Sequence, residues 1–220
     1  MKKLLKTLTL AVGIFTIYQV LLRLIRQHWQ FPAPAFIGRF LSSPMRARMQ
    51  PPDLMLERAG LQKEMRVLEI GCGSGAFLPA AARLAGEKGQ VFALDIQANM
   101  LTQMKAYLNK PQNQHPDVLL AVQASAGNLP FADNSLDLVY FVAAMFEIPN
   151  LPNMLAECRR VLKPGGLIAN TEFLPDPDYV DAAKVCDTLQ EAGFQIVHVA
   201  GNLMNFTVRA TIPCQPALPE

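Results

Sequence analysis

The four cysteines, Cys72, Cys158, Cys186 and Cys214, are widely spaced and form no CxxC pair. That spacing argues against a zinc site or a disulfide framework and fits a reducing compartment. Histidine is scarcer still. His28, His115 and His198 stand far apart, so no metal site and no histidine base is expected. Charged residues make up only 17% of the chain, and acid is missing altogether from its first fifty residues. That stretch carries Lys2, Lys3, Lys6, Arg23, Arg26, Arg39, Arg46 and Arg48. The net charge of +2 therefore conceals a basic arm on an acidic remainder, a pattern that points to an anionic membrane surface. Long aliphatic runs between the basic and aromatic residues favour lipid, and no nucleic-acid partner is expected. There is no internal repeat and no low-complexity tract.

What is present suits one globular domain with an appendage: 220 residues, 51% of them apolar. Residues 7–22 contain no charge, and Leu4, Leu5, Leu24 and Ile25 extend the run if Lys6 and Arg23 snorkel. The run approaches the roughly 20 apolar residues of a bilayer span, and its polar members do not gather on one face. Residues 1–28 are expected to be a hydrophobic membrane-anchor helix. A cleaved signal peptide is the rival, with Ala33, Pro34 and Ala35 as a crude cleavage site. Arg23, Arg26, His28, Trp29 and Phe31 separate that site from the apolar run, however, and an exported domain would leave its cofactor behind. The domain is therefore placed in the cytoplasm. Residues 29–52, with Trp29, Phe31, Phe36, Arg39 and Phe40 among five prolines, read as an interfacial segment holding one short helix.

From residue 53 to 212 strands and helices alternate, and 213–220 are a tail. Asp53 opens a helix that Gly60 weakens, with Leu54, Leu56 and Leu61 on its core face. Apolar runs of strand length occupy residues 66–70, 91–95, 118–122, 136–142 and 167–172. Helical spacing covers 76–84, 98–108 and 151–162, the last ended by Gly165 and Gly166. This alternation predicts an α/β fold whose mostly parallel sheet has helices on both faces. Residues 194–199 and 206–210, joined through Gly201 and Asn202, read as a hairpin, so the sheet finishes antiparallel.

The loop after the first strand carries Glu69, Gly71, Cys72, Gly73 and Gly75. Its glycines allow positive φ and close approach of a ligand to the backbone. The spacing is G-x-G-x-G, with an acid two residues ahead, where a dinucleotide site wants G-x-G-x-x-G. An acid there suits an amino-bearing ligand better than a diphosphate. Asp95, at the end of the second strand, is placed to accept both ribose hydroxyls of an adenosine. Ile96 and Met100 offer apolar walls for the adenine.

Residues 67–75, Asp95, residues 128–139 and residues 160–166 together resemble the class I S-adenosylmethionine-dependent methyltransferases of the ubiquinone/menaquinone-methylating type. The resemblance covers roughly residues 53–210. It implies a Rossmann-like seven-stranded sheet with an antiparallel last strand, preceded here by the apolar helix. It also implies S-adenosyl-L-methionine as cofactor. Glu69, Gly71, Gly73 and Gly75 would surround the methionine part and ribose, Asp95 the ribose hydroxyls, and Ser125 and Ala126 the adenine amine. Many relatives have an acid where this chain has Ser125, so a charge-assisted hydrogen bond is lost and weaker cofactor binding is expected.

Methyl transfer from a sulfonium is an in-line displacement that needs mainly alignment, and a base only where the nucleophile is protonated. Glu147, after the fourth strand, and Glu172, at the end of the fifth, are the candidates. The expected function is methylation of a small lipophilic acceptor, a quinone-like phenol, thiol or amine lipid, at the membrane surface. A leader before such a domain also resembles the organisation of membrane-associated alkyl thiol methyltransferases. The alternative is a non-catalytic cofactor-binding or assembly protein that kept the fold. A nicotinamide oxidoreductase is disfavoured by the glycine spacing.

Overall fold

The computed structural model describes Thr9, Gly13 and residues 21–24, 33–113 and 118–213. The expected anchor, residues 1–28, therefore lies mostly outside the described residues, as do His115, Cys214 and nearly all of the tail. Among the described residues no helix is long and apolar enough to cross a membrane. Residues 21–24 are helical (α1). Arg23 does not snorkel there: its Nη2 donates to the carbonyl oxygens of Leu174 (2.7 Å) and Asp176 (3.4 Å). The end of the apolar run thus rests on the α/β domain. The segment after it is more helical than its prolines imply. A 3-10 turn at Ala35–Ile37 leads into α2 (Gly38–Leu41) and α3 (Pro44–Met49). Pro44 stands at the start of α3, where the missing N–H costs nothing, and Ser43 caps it by accepting from Arg46 N.

The helix α4 (Pro52–Ala59) ends on Gly60, whose φ of 87° makes the left-handed cap that glycine permits. Its core face is Met55, Leu56 and Ala59, while Leu54 is 40% exposed. Four strands and three helices then alternate: β1 (Arg66–Ile70), α5 (Leu78–Ala85), β2 (Gln90–Asp95), α6 (Ala98–Leu108), β3 (Leu119–Gln123), β4 (Leu136–Val142) and α7 (Leu151–Val161). The chain closes with β5 (Leu162–Phe173), α8 (Ala182–Glu191), β6 (Gln195–Gly201) and β7 (Asn205–Thr211). Helix α7 starts on the Asn150 side-chain cap with Pro152 in its first turn. It stops at Leu162, which is already extended, so Gly165 and Gly166 lie within β5 and do not end the helix. Helix α8, capped by Asp181, was not apparent from the sequence pattern.

The seven strands form one sheet in the order β3-β2-β1-β4-β5-β7-β6. Strands β1 to β5 are parallel, and β7 is inserted antiparallel to both β5 and β6. The β6–β7 hairpin closes through Asn202 N donating to Asn205 O at 2.9 Å. Alternate residues of the central strands feed two separate cores. Leu68, Ile70, Val139 and Phe141 face α7 and α8, which contribute Met154, Leu155, Val185 and Leu189. Val67, Val91, Leu138 and Tyr140 face α4, α5 and α6, with Leu56, Leu78, Ala81 and Met104. Burial on both faces is why these strands read as continuous apolar runs. Phe141 is fully buried at the centre of the first core. Phe141→Ala should lower the unfolding free energy by about 3–5 kcal/mol in urea titrations.

Candidate active site

Strand order reverses between β1 and β4, since β2 and β3 lie on one side and β5 on the other. Loops leaving the C-terminal ends of neighbouring strands part there and open a crevice. A cavity of about 770 Å³ occupies it, within the range of roughly 300–1,000 Å³ usual for small-molecule sites. Residues 69–74 after β1, residues 94–97 after β2, residues 124–128 after β3 and residues 142–144 after β4 all line it. The segment ahead of the α/β fold supplies Leu22, Phe36, Ile37, Leu41 and Arg46 as the remaining wall.

The glycine loop is shaped for this place. Gly71 has a φ of 73°, and a Cβ on it would lie 2.7 Å from the Cβ of Ala144. Only glycine lets the β1 and β4 loops meet so closely. Asp95 fixes the loop from the side: its Oδ2 accepts from Gly73 N (2.9 Å) and its Oδ1 from Gln97 N (2.8 Å). Burial raises its pKa, and those backbone donors oppose the rise. Glu69 is 2% exposed and accepts from the Tyr140 hydroxyl at 2.8 Å. Desolvation pushes its pKa up to about 8, with the Tyr140 hydrogen bond working the other way. A buried carboxyl of this kind is primed to ionise when a cation arrives beside it.

Ile96, Met100, Ser125 and Ala126 join Glu69, Gly71, Cys72, Gly73 and Asp95 on the cavity wall. Ser125 Oγ accepts from Gly127 N at 3.3 Å, tightening its own turn. Cys72 is buried, and desolvation pushes its thiol pKa well up, so it stays protonated. Glu147 also lines the cavity, and its Oε2 accepts from Ala33 N at 3.0 Å. Two expected site residues fall elsewhere. Gly75 packs toward Met104, whose Cγ would lie 2.7 Å from a Cβ at that position, so its part is to seat the loop on α6. Glu172 is not among the lining residues. It is 2% exposed, accepts from Asn170 Nδ2 (2.7 Å), and desolvation raises its pKa to about 8.

Arg46 was missed by sequence reasoning, because a lone arginine in a basic segment carries no motif. Ala143 was missed too. It leaves β4 at a φ of 50°, a left-handed conformation uncommon for a residue with a side chain. The carboxylates of Glu147, Asp176 and Asp178 lie within 4.8 Å of one another, and Glu147 and Asp176 line the cavity.

Residues 68–170 match the family model for the methyltransferase domain. The segment is a methyltransferase domain. Its cofactor is S-adenosylmethionine, and the residues around the cavity fit that group: an acid for the amino end, a glycine turn, and a carboxylate at the ribose position. The demethylmenaquinone methyltransferase of Staphylococcus epidermidis is 33% identical over 118 residues, covering 54% of this chain and 47% of that protein. The 2-phytyl-1,4-naphtoquinone methyltransferase of Trichormus variabilis is 32% identical over 122 residues, covering 55% and 52%. The chain thus matches about half the length of these relatives. A crystal structure of a SAM-dependent methyltransferase from Aquifex aeolicus superposes with a TM-score of 0.75 at 25% identity, covering 82% of this chain and 100% of that one. The [4+2]-cyclase SpnF shares the fold at a TM-score of 0.65 and 18% identity, covering 92% and 96%.

Two outcomes test this geometry. Asp95→Ala should weaken S-adenosylhomocysteine binding at least about tenfold in calorimetry, since the ribose acceptor and the clamp on Gly73 go together. Glu172 titrates higher in the folded chain than in the unfolded one. Its contribution to stability is therefore complete below about pH 4.5 and is lost as pH rises through about 8. Glu172→Gln should flatten that fall, giving a higher melting temperature than the parent at pH 8.

Proposed function

We propose that the chain transfers the methyl group of S-adenosylmethionine to a small lipophilic acceptor, a quinone-like phenol, thiol or amine lipid, at a membrane surface. The observation that carries this is the mixed lining of the cavity. Glu69 and Asp95 bring carboxyl groups to it from the ends of β1 and β2, and Leu22, Phe36, Ile37, Leu41, Ile148 and Pro149 give it apolar wall. A cationic donor suits the acids and a greasy ring the apolar wall. The quinone-type names of the two relatives favour the same acceptor class.

The residues divide the work simply. Glu69 and Asp95 would hold the amino end and the ribose of the donor. When bound, the donor would supply its methyl group by in-line displacement, with S-adenosylhomocysteine as the leaving group. The apolar wall keeps water from competing for the methyl group. For a protonated phenol or thiol, Glu147 is the group placed to take the proton.

The membrane part of the reading rests on charge and exposure. Phe36 (83% exposed), Phe40, Met45 and Met49 are exposed apolar side chains on the segment that roofs the cavity. That segment belongs to the acid-free first fifty residues, whose basic charge complements an anionic leaflet. An acceptor dissolved in lipid would then enter without crossing water. In this reading residues 1–28 anchor the chain and the methyltransferase domain faces the cytoplasm.

The second reading is a non-catalytic or differently acting protein of the same fold, which the likeness to a cyclase keeps in view. Methyl-labelled donor and vesicles of anionic lipid loaded with candidate quinols, thiols and amines separate the two. Label should enter the organic phase with one S-adenosylhomocysteine released per methyl, and Glu147→Gln should lower kcat about 100-fold while leaving S-adenosylhomocysteine affinity unchanged. Label found only in protein or RNA would overturn the lipophilic acceptor. Tight S-adenosylhomocysteine binding without turnover on any acceptor would favour the second reading.

A further inference from the structure

Arg46 is a charged side chain only 9% exposed, and it lines the cavity. It stands on α3, outside the residues matched by the family model. Its Nε donates to Oε1 of Gln50, one turn further on, at 2.9 Å, and Gln50 is itself fully buried. Among the described residues the guanidinium makes no other hydrogen bond, so its two terminal nitrogens are left for a ligand of the cavity that Arg46 lines. Burial opposes the charge, and Asp176, Glu147 and Glu69 favour it in that order. A buried guanidinium with an idle fork is costly unless something completes it. Arg46 is the single basic side chain among the described residues of the cavity wall.

We propose that Arg46 binds the α-carboxylate of S-adenosylmethionine through its free two-nitrogen fork, beside the Glu69 carboxylate that takes the α-amino group, with Gln50 as the positioning residue. This rests on the methyl-donor reading of the site. The donor carries two positive groups, ammonium and sulfonium, and one negative group. A wall with several acids and one cation offers a partner of opposite sign to each. The amino and carboxylate groups sit on one carbon, so their receptors must be neighbours, and Arg46 lies within electrostatic reach of Glu69. The segment carrying Arg46 is also fastened to the glycine loop: Ser74 Oγ donates to Gly38 O at 2.6 Å. Gln50 occupies Nε and so leaves the parallel pair of terminal N–H bonds for a ligand, the geometry that a carboxylate accepts in two-pronged fashion. Lysine would supply the charge without the fork.

The test compares two ligands that differ in the proposed contact. S-adenosylhomocysteine keeps the amino-acid end, and 5′-methylthioadenosine lacks it. Calorimetry on the full chain should show tighter binding of S-adenosylhomocysteine by the parent protein. Arg46→Gln should weaken S-adenosylhomocysteine by about 10- to 100-fold and leave 5′-methylthioadenosine unchanged, which also shows that the variant is folded. Arg46→Lys should recover part of the loss, and Gln50→Met should reproduce a smaller version of the same split. Equal loss for both ligands, or equal affinity of the parent for both, would overturn the assignment while leaving the donor reading intact. So would unchanged S-adenosylhomocysteine binding with a raised KM for the acceptor, because the anion would then belong to the acceptor. A parent chain that binds neither ligand would overturn the donor reading itself.

Discussion

Strands β1 and β4 lie side by side, yet the chain carries on from them to opposite sides of the sheet, to β2 from one and to β5 from the other. The crevice between the two departing loops opens the cavity, and each neighbouring feature accommodates it. Gly71 has no side chain because the Cβ of Ala144 occupies that space. Ala143 takes a left-handed turn so that the β4 loop clears the opening. Tyr140, one strand away, sends its hydroxyl across to hold Glu69. The sheet can support this gap because both of its faces are sealed by separate cores.

The electrostatics follow from the same arrangement. Acids gather where strands end: Glu69 on β1, Asp95 on β2 and Glu147 after β4. Withdrawn from water, Glu69 holds its proton more firmly than a free carboxyl does. A cationic ligand reverses that balance and gains from it, so the cavity discriminates by charge before any contact is made. Arg46 enters from a different part of the chain and supplies the complementary sign. The segment from Ala33 to Gln50 is therefore a wall of the site as well as a connection, tied down by Ala33 to Glu147, by Gln97 to Ala33 and by Ser74 to Gly38.

That segment is also where the linear pattern misled most. Its prolines read as breaks between extended pieces, whereas Pro44 and Pro52 stand at helix starts, where proline fits. Arg23 read as a snorkelling cation, whereas it bonds to carbonyls of the loop after β5. Leu54 read as core because it is leucine, and the neighbouring Met55 is buried in its place. For Arg23 the partner lay 151 positions away in sequence, and local periodicity does not report it.

The sequence by itself determined the alternation of strands and helices, the antiparallel finish, the glycine loop and Asp95, because these depend on local spacing and on backbone freedom. Glycine where φ is positive and an acid at a strand tip are legible without neighbours. Tertiary structure alone decided which candidates share the cavity. It put Glu147 among the lining residues and Glu172 outside them, turned Gly75 toward Met104, and brought Arg46 within reach of Glu69 across 23 positions of chain. Strand order and the packing of the preceding segment set those distances. Both are consequences of burial between parts of the chain that no short window contains.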